Sequence, residues 1–177
     1  MTRPLLIALI GGWIVGSLVL GAVATRNFRM IDRLLSAPSP ELSSAIAPVG
    51  QDQARVILRH VASELNRHFF KSWGFIQLAL GVVLVVGALV LKPVDRAGAI
   101  GAMTIFTLVM ALVILNWLLV PLGRGLDFVP RIPPPPTMAR FSRLHLVYTF
   151  LDALKVVLCL WLLIRWSRRA NHITLKR

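Results

Sequence analysis

The stretch of sequence that decides the fold is LHLVYTFLDALKVVLCLWLLIRW, residues 144–166. As a helix, its 23 residues are long enough to cross the ~30 Å hydrocarbon core of a bilayer. Asp152 and Lys155 lie near its middle, where a charge costs roughly 2.5–3.5 kcal/mol. Because they are three positions apart on one helix face, these side chains can neutralise each other. The stretch therefore predicts a membrane span, and the pair marks the face that we expect to meet protein.

The composition of the whole chain points to the same class of protein. Of its 177 residues, 56% are hydrophobic and the mean hydropathy is +0.74, which is too apolar for a soluble domain of this size. Four apolar runs each hold about 20 residues or more, the length that a spanning helix requires. They cover residues 5–24, 72–91, 98–120 and 141–164. The sequence therefore predicts an all-α protein with a single domain, 1–177, that forms an integral membrane four-helix bundle.

The connection between the first two spans, residues 25–71, carries helical patterns of its own. Apolar side chains recur at helical spacing after the first span and again before the second, with arginines on other faces. The two apolar rows are Phe28, Ile31, Leu34 and Leu35, followed by Ala54, Leu58, Val61, Leu65 and Phe69. We therefore expect an extramembrane amphipathic helical hairpin. It either packs on itself or on the membrane surface, or serves as a docking arm for a partner.

Basic residues dominate the charge of the chain. Twenty Lys and Arg residues stand against seven Asp and Glu, which gives a formal net charge of +13. The basic residues lie between and beside the apolar runs, so we expect anionic lipid headgroups, and not nucleic acid, as their partners. Eleven of them lie on the side of loops 25–71 and 121–140, against eight on the other side. By the positive-inside rule we expect those loops to be cytoplasmic, in a bacterial inner membrane.

Polar side chains form one narrow row on the fourth span, at alternating spacings of three and four. The row consists of His145, Tyr148, Asp152, Lys155 and Cys159. The antiparallel order of the spans brings Gln77, Asn116 and His145 to a similar depth on three helices. We therefore expect a convergent polar cluster of these three residues, with Arg124 and Asp127 closing over it from outside.

Three interpretations of these polar groups stay open. They can hold the helices in register, form a pathway for a ligand, ion or proton, or ligate a haem or chlorophyll through His145, His60 or His68. A single histidine on a span is weak evidence for an axial ligand, and His60 and His68 are too far apart to share a metal without further ligands. No metal site is predicted. The sequence also lacks a phosphate loop, a His-Glu-x-x-His motif, a cysteine pair and a nucleophile elbow, so we do not expect an enzyme.

Small residues on the first span predict close helix packing. Gly12 and Gly16 form a Gly-x-x-x-Gly pair, and Ser17 and Gly21 form a second small pair on a different face. Two faces that admit a close neighbour indicate that this span contacts more than one helix, either within the bundle or on another subunit.

The order of these residues along the chain resembles the transmembrane protein 205-like family of four-span membrane proteins. The positions that carry the resemblance are Trp13, Ser17, Gly21, Trp73, Gly74, Gln77, Asn116, Pro121, Phe141, His145 and Asp152. They cover all four spans but not the loops, and the long first connection and the four prolines at 133–136 depart from the family pattern. The resemblance implies the fold and no particular reaction, because the family has no agreed biochemical activity.

The sequence favours a non-catalytic subunit of a larger membrane complex, such as a respiratory or photosynthetic assembly. Its charged hairpin and basic tail offer docking surface, so other integral membrane subunits and bound anionic lipid are the expected partners. A small transporter or channel component that uses Asp152, Lys155 and His145 is the first alternative. A pigment- or haem-binding subunit is the second, and no soluble substrate is indicated.

Overall fold

The computed structural model describes residues 2–90, 95–129 and 133–174, with side chains up to residue 169. Within these residues the regular structure is helical. The five described helices are α1 (Arg3–Ser36), α2 (Pro40–Ile46), α3 (Gln51–Val90), α4 (Arg96–Arg124) and α5 (Pro136–Thr174). By length and composition, α1, α3, α4 and α5 are each able to cross a membrane. The predicted all-α, four-helix membrane protein is thereby confirmed.

The four long helices pack in a ring, in which α1 contacts α3 and α5, and α4 contacts the same two helices. The closely packed core lies toward one end of this ring, where α1 and α4 begin and α3 and α5 end. We call this the core end, and the opposite end, from which the α1–α3 connection projects, the hairpin end. The core contains Leu6, Ile10, Trp13, Leu84, Ala102, Ile105, Leu162 and Trp166.

The small residues of α1 pack only partly as their spacing predicts. Gly16 lies directly under the indole of Trp73, so a side chain at this position would collide with the ring. Ser17 is buried among the helices. Gly12 and Gly21 each face open space, with nothing within 4 Å of where a Cβ would lie. Packing of Gly12 and Gly21 within the bundle is therefore corrected, and contact of their faces with another subunit stays a prediction.

The hairpin forms because α1 and α3 both continue well past their apolar spans. Ile31 and Leu35 of α1 pack against Ala62 of α3. Nearer the membrane, Asn27 Nδ2 donates to Asn66 Oδ1 at 2.7 Å. The hairpin therefore packs on itself, while its outer surface stays available to a partner.

The face of α3 that meets α1 is only partly the one predicted. Ala54 is buried, and Leu58 packs against the cluster formed by Ile31, Leu35 and Ala62, as the apolar row predicts. Val61, Leu65 and Phe69 are 49%, 48% and 39% exposed instead of buried. Ala62 and Asn66 are buried in their place. The small side chain of Ala62 lets α1 approach closely, and the side chain of Asn66 hydrogen-bonds to α1. For this reason Ala62 and Asn66 face α1 here, instead of the larger Val61, Leu65 and Phe69.

Two helix boundaries also differ from the predicted spans. α4 continues through Pro121 to Arg124, and α5 begins at Pro136 rather than at residue 141. The first helical position suits Pro136, because an N–H has no partner in the helix there. Part of the connection between the second and third predicted spans, residues 91–94, and the last three residues, 175–177, lie outside the described residues.

Candidate functional site

A fully buried lysine lies at the centre of the bundle. Lys155 Nζ donates hydrogen bonds to Asp152 Oδ1 at 2.5 Å and to Ser17 Oγ at 3.2 Å. Its third partner is Gln77 Oε1, which also accepts from Trp13 Nε1 at 3.1 Å. An ammonium group has three N–H donors, so each of them has an acceptor. We call these five residues, which come from α1, α3 and α5, the polar node.

The polar node explains how a charge is tolerated in the middle of a span. An unpaired ammonium is costly there, and removing one partner of a buried pair typically costs about 3–5 kcal/mol. Asp152 lies one turn before Lys155 on α5 and supplies the compensating charge, as its spacing predicts. The partners on α1 and α3 supply the remaining acceptors, so the node also holds three helices in one register.

A cavity of about 680 Å³ adjoins the polar node on its hairpin-end side. All four long helices line it, and its size is in the range of small-molecule sites. Asp152 lines the cavity with 30% of its side chain exposed, whereas Lys155 is completely buried behind it. The walls are largely apolar and aromatic, with Phe28, Phe70, Leu119, Val120 and Phe141 among them.

The helix registers give the depth of the cavity. The bond between Lys155 and Ser17 places these residues at one level, and Asp152 lies about one turn nearer the hairpin end, level with Gly21. Arg29, which also lines the cavity, follows Gly21 by eight residues on α1. At about 1.5 Å per residue, the cavity therefore extends about 12 Å from a carboxylate to a basic rim.

The cavity opens between α1 and α5. Six of its lining residues are exposed, and all of them belong to these two helices: Gly21, Thr25, Phe28 and Arg29 in α1, and His145 and Thr149 in α5. Gly21 contributes no side chain to close the gap. Because Gly21, His145 and Thr149 belong to the apolar spans and Thr25 borders one, this part of the opening lies at the height of the membrane. A ligand dissolved in the bilayer can therefore reach it.

The structure divides the polar cluster that the sequence predicts. Asn116 and His145 line the cavity together with Tyr148. Gln77 is 1% exposed and belongs to the polar node instead. The rotation of α3 about its own axis decides this, because it turns Gln77 toward Trp13. The single cluster of Gln77, Asn116 and His145 is therefore corrected to two separate groups.

Aromatic contacts shape the cavity wall. Tyr148 packs edge-on against Phe70, with ring centroids 5.9 Å apart. His145 stacks on Phe141 at 5.8 Å. Cys159, the last member of the predicted polar row, lies deeper, in the apolar core. The row therefore runs from the rim of the cavity through the polar node into the core.

An ionic network borders the cavity at the hairpin end, where Arg67 belongs to both. Arg67 donates to both oxygens of Asp127, at 2.8 and 2.9 Å, and to Glu64 at 2.6 Å. Arg124 donates to both oxygens of Glu64, at 3.0 and 3.1 Å. His60 Nδ1 lies 3.0 Å from Asp127 Oδ2. The expectation that Arg124 and Asp127 close over the polar cluster is corrected, because they tie the end of α4 to α3.

This network contains residue types that bind metals. Ligand atoms of His60, Glu64 and Asp127 all lie within 4.8 Å of one another. Arg67 and Arg124 already pair with the two carboxylates, so protein cations neutralise the site and we assign it a structural role. The network cannot be read from the sequence, because Arg67 and Asp127 are 60 positions apart. The three-residue spacing of Glu64 and Arg67 is its one local signal.

A second ionic group, which the sequence also does not reveal, lies at the core end. Asp95, just before α4, accepts two hydrogen bonds from Arg165 at 2.8 Å each, and Arg169 lies 3.0 Å away. The hydrogen bonds from Arg165 lower the pKa of Asp95 from its ordinary 3.8 to about 2, against the opposing effect of burial. This group ties the start of α4 to the end of α5.

The helices establish the class of the protein, and known proteins do not narrow it. The four apolar helices are those of an integral membrane protein. No family model, no curated protein and no solved structure matches the chain, so its resemblance to the transmembrane protein 205-like family stays a prediction.

Proposed function

We propose that this chain is a membrane-embedded ligand-binding protein that acts as a small transporter or channel component. The observation that carries the proposal is the cavity of about 680 Å³ whose inner end is the charged Asp152–Lys155 pair. Holding the helices in register would need the polar node but not an adjoining cavity. Intramembrane ionisable groups that face a cavity commonly mark the path of a substrate or ion, which supports a transport role.

The asymmetry of the bundle supports the same proposal. The cavity lies toward the hairpin end, while the core end is filled by packed side chains such as Leu6, Ile10 and Leu84. Alternating access requires that, in each state of a transporter, the binding site is accessible from only one side of the membrane. In this proposal, passage through the bundle requires the packing at the core end to loosen.

Ligand binding by the full chain in lipid nanodiscs tests the proposal. The probes are three fluorescent naphthalenes: anionic 2-naphthalenesulfonate, cationic trimethyl(2-naphthylmethyl)ammonium and neutral 2-naphthol. Gly21→Phe is the blocking variant, because Gly21 lines the cavity and faces open space. Gly12→Phe is the matched control, since Gly12 is another α1 glycine that faces open space, but it does not line the cavity.

We expect at least one probe to bind to the wild type and to Gly12→Phe, but not to Gly21→Phe. The charged probe that binds should also enter proteoliposomes that contain the wild-type chain. If none of the three probes binds in a way that depends on Gly21, the ligand-binding function is rejected. Binding without flux would limit the function to binding.

The second candidate is the non-catalytic subunit of a larger membrane complex, such as a respiratory or photosynthetic assembly. An exposed apolar row on the outer part of α3 favours it, formed by Ile57, Val61, Leu65 and Phe69. Because α3 is one continuous helix, this row projects away from the membrane and can meet another integral membrane subunit. Gentle extraction, native electrophoresis and mass spectrometry of the band provide the test. Constant stoichiometry with larger proteins supports a subunit, and migration alone rejects it.

Anionic lipid is the proposed non-protein partner. His68 and Lys71 line a groove of about 620 Å³ between α3 and α4, together with the exposed rings of Phe75 and Trp117. Arg124 also lines it and is paired there with Glu64. Basic groups beside interfacial aromatic rings suit a lipid phosphate and its acyl chains. We expect Lys71→Gln to reduce the phosphatidylglycerol that native mass spectrometry detects on the purified chain. An arginine on the distal part of α1 supplies a control substitution that should leave it unchanged.

Orientation and pigment content belong to the proposal as well. The excess of basic residues supports a cytoplasmic hairpin end in a bacterial inner membrane. Labelling of Ser44→Cys, on exposed α2, by a membrane-impermeant thiol reagent from one side only tests this orientation. A haem or pigment on His145 stays a prediction, and a visible absorption band that His145→Ala removes is the evidence that it needs.

A further inference from the structure

The Asp152–Lys155 pair carries no net charge, but its two members are not equally accessible. Asp152 lines the cavity, whereas Lys155 is fully buried behind it. Within residues 2–90, 95–129 and 133–169, no other ionisable side chain is hydrogen-bonded to either of them. A proton added to Asp152 leaves the charge of Lys155 without a counter-charge in the middle of the membrane, which is unfavourable. An anion in the cavity restores neutrality.

The groups that face Asp152 across the cavity favour an anion. α1 contributes Arg29 at the rim, and α5 contributes the ionisable His145 and Tyr148. α3 contributes Arg67, whose charge is already paired with Glu64 and Asp127. α4 contributes uncharged residues, which are Asn116, Leu119, Val120 and Gly123. Among the described lining residues Asp152 is the one acid. A cation would therefore pass Arg29 to reach an acid that is already neutralised, whereas Arg29 attracts an anion along the same path.

The cavity wall narrows the class of anion. Phe28, Phe70 and Phe141 present apolar surface that an inorganic ion would leave uncovered. A hydrocarbon or aromatic body fits this wall, and the depth of about 12 Å accommodates a compact molecule rather than a whole phospholipid. The opening at the height of the membrane suits a molecule that collects at the bilayer surface.

We propose that the cavity binds one amphipathic organic anion together with one proton, which resides on Asp152. This rests on the ligand-binding function proposed above and adds the ligand class and its coupling. A proton from water at the hairpin end adds to a carboxylate oxygen of Asp152, which then donates a hydrogen bond to the anionic group. Lys155 keeps its proton and its bonds to Ser17 and Gln77, and its charge balances the anion. No bond between heavy atoms forms or breaks.

Counting protons during binding tests the coupling. The full chain in nanodiscs of zwitterionic lipid is titrated with 2-naphthalenesulfonate in weakly buffered solution, and a pH indicator reports proton uptake. A sulfonate stays ionised throughout the accessible pH range, so it cannot bring its own proton. We expect one proton to be taken up per anion bound. The affinity should fall about tenfold per unit rise in pH where Asp152 is ionised in the free protein, as linkage requires for one coupled proton.

Two variants separate the roles of the pair. Asp152→Asn is neutral at every pH, like the protonated acid, so it should bind the anion without proton uptake and with a pH-independent affinity. Lys155→Met removes the balancing charge and should reduce anion affinity at least tenfold. Should Asp152→Asn fail to fold, Asp152→Ser and the proton count on the wild-type chain still decide the question.

The outcomes distinguish this inference from the function on which it rests. Binding of the sulfonate without proton uptake overturns the coupling, and so does an affinity for Asp152→Asn that still falls as pH rises. A preference of the Gly21-dependent site for the cationic or neutral naphthalene overturns the anion assignment while leaving ligand binding intact. Absence of Gly21-dependent binding for all three probes overturns both.

Discussion

Replacing Gln77 by leucine removes the acceptor at the centre of the polar node. Gln77 Oε1 accepts from both Trp13 Nε1 and Lys155 Nζ, and all three side chains are at most 1% exposed. Leucine keeps the apolar volume but offers no acceptor. One neutral donor and one charged donor would each be left one hydrogen bond short, with no solvent at the surface of either side chain.

The two lost bonds set the magnitude of the effect. Interhelical hydrogen bonds in membranes average ~0.6 kcal/mol with a maximum of ~1.7, because the unfolded chain also finds partners there. A buried donor left unsatisfied costs about 1–3 kcal/mol, and more when it is charged. Lys155 keeps Asp152 and Ser17, which limits its loss. We therefore expect Gln77→Leu to lower the free energy of unfolding by about 2–4 kcal/mol.

Unfolding of the purified chain by sodium dodecyl sulfate in mixed micelles, followed by tryptophan fluorescence, measures this difference. Asn116→Leu is the matched control, since it also replaces an amide on an adjoining span. Asn116 is half-buried and makes no hydrogen bond with a described side chain, so its replacement should change stability by less than about 0.5 kcal/mol. Equal stability of the two variants would refute the idea that the polar node holds the bundle together.

Acidification tests the ion pairs of Asp95, an added methyl group tests the packing at Gly16, and removal of both charges tests the Asp152–Lys155 pair. The pKa of Asp95 is lowered from 3.8 to about 2, so the stabilisation from its ion pairs is complete above pH 3.8 and is lost as the pH falls through about 2. The thermal unfolding midpoint of the wild type should drop over this pH range, and that of Asp95→Asn should drop less. Asp52→Asn is the control, because Asp52 is fully exposed. Gly16→Ala forces a methyl group into the indole of Trp73 and should destabilise the bundle by about 1–3 kcal/mol in the same detergent assay, whereas Gly12→Ala, which faces open space, should be neutral or slightly stabilising. The double change Asp152→Asn/Lys155→Met leaves no unpaired charge, so the chain should still fold and assemble. Probe uptake by proteoliposomes that contain this variant should no longer depend on pH. Unchanged pH-dependent uptake would contradict a role for the pair in transport.

The sequence alone determines the four spans and the Asp152–Lys155 ion pair within the last of them. A bilayer demands about 20 apolar residues per helix, and that demand can be read without any contact. The Asp152–Lys155 pair is equally local, because a separation of three positions brings two side chains together on any helix. The hairpin follows from helical periodicity that continues beyond the first span and before the second.

Tertiary structure decides which way each helix faces. In a membrane the outer surface is as apolar as the interior, so hydrophobicity no longer separates buried from exposed positions. For this reason the sequence places Gln77 with Asn116 and His145, whereas the rotation of α3 turns it toward Trp13 and Lys155. The outer part of α3 shows a related effect, because close approach and hydrogen bonding to α1 bury Asn66 in preference to larger apolar side chains.

The cavity and the two ionic groups also exist only in the assembled bundle. Asp127 and Arg67 are 60 positions apart, and Asp95 and Arg165 are 70 apart, so no local pattern joins them. The cavity depends on what four helices leave unfilled around Asp152, including the open space beside Gly21. Sequence determines which side chains each helix carries, but empty volume is a property of several helices packed together, and only their tertiary arrangement can create it.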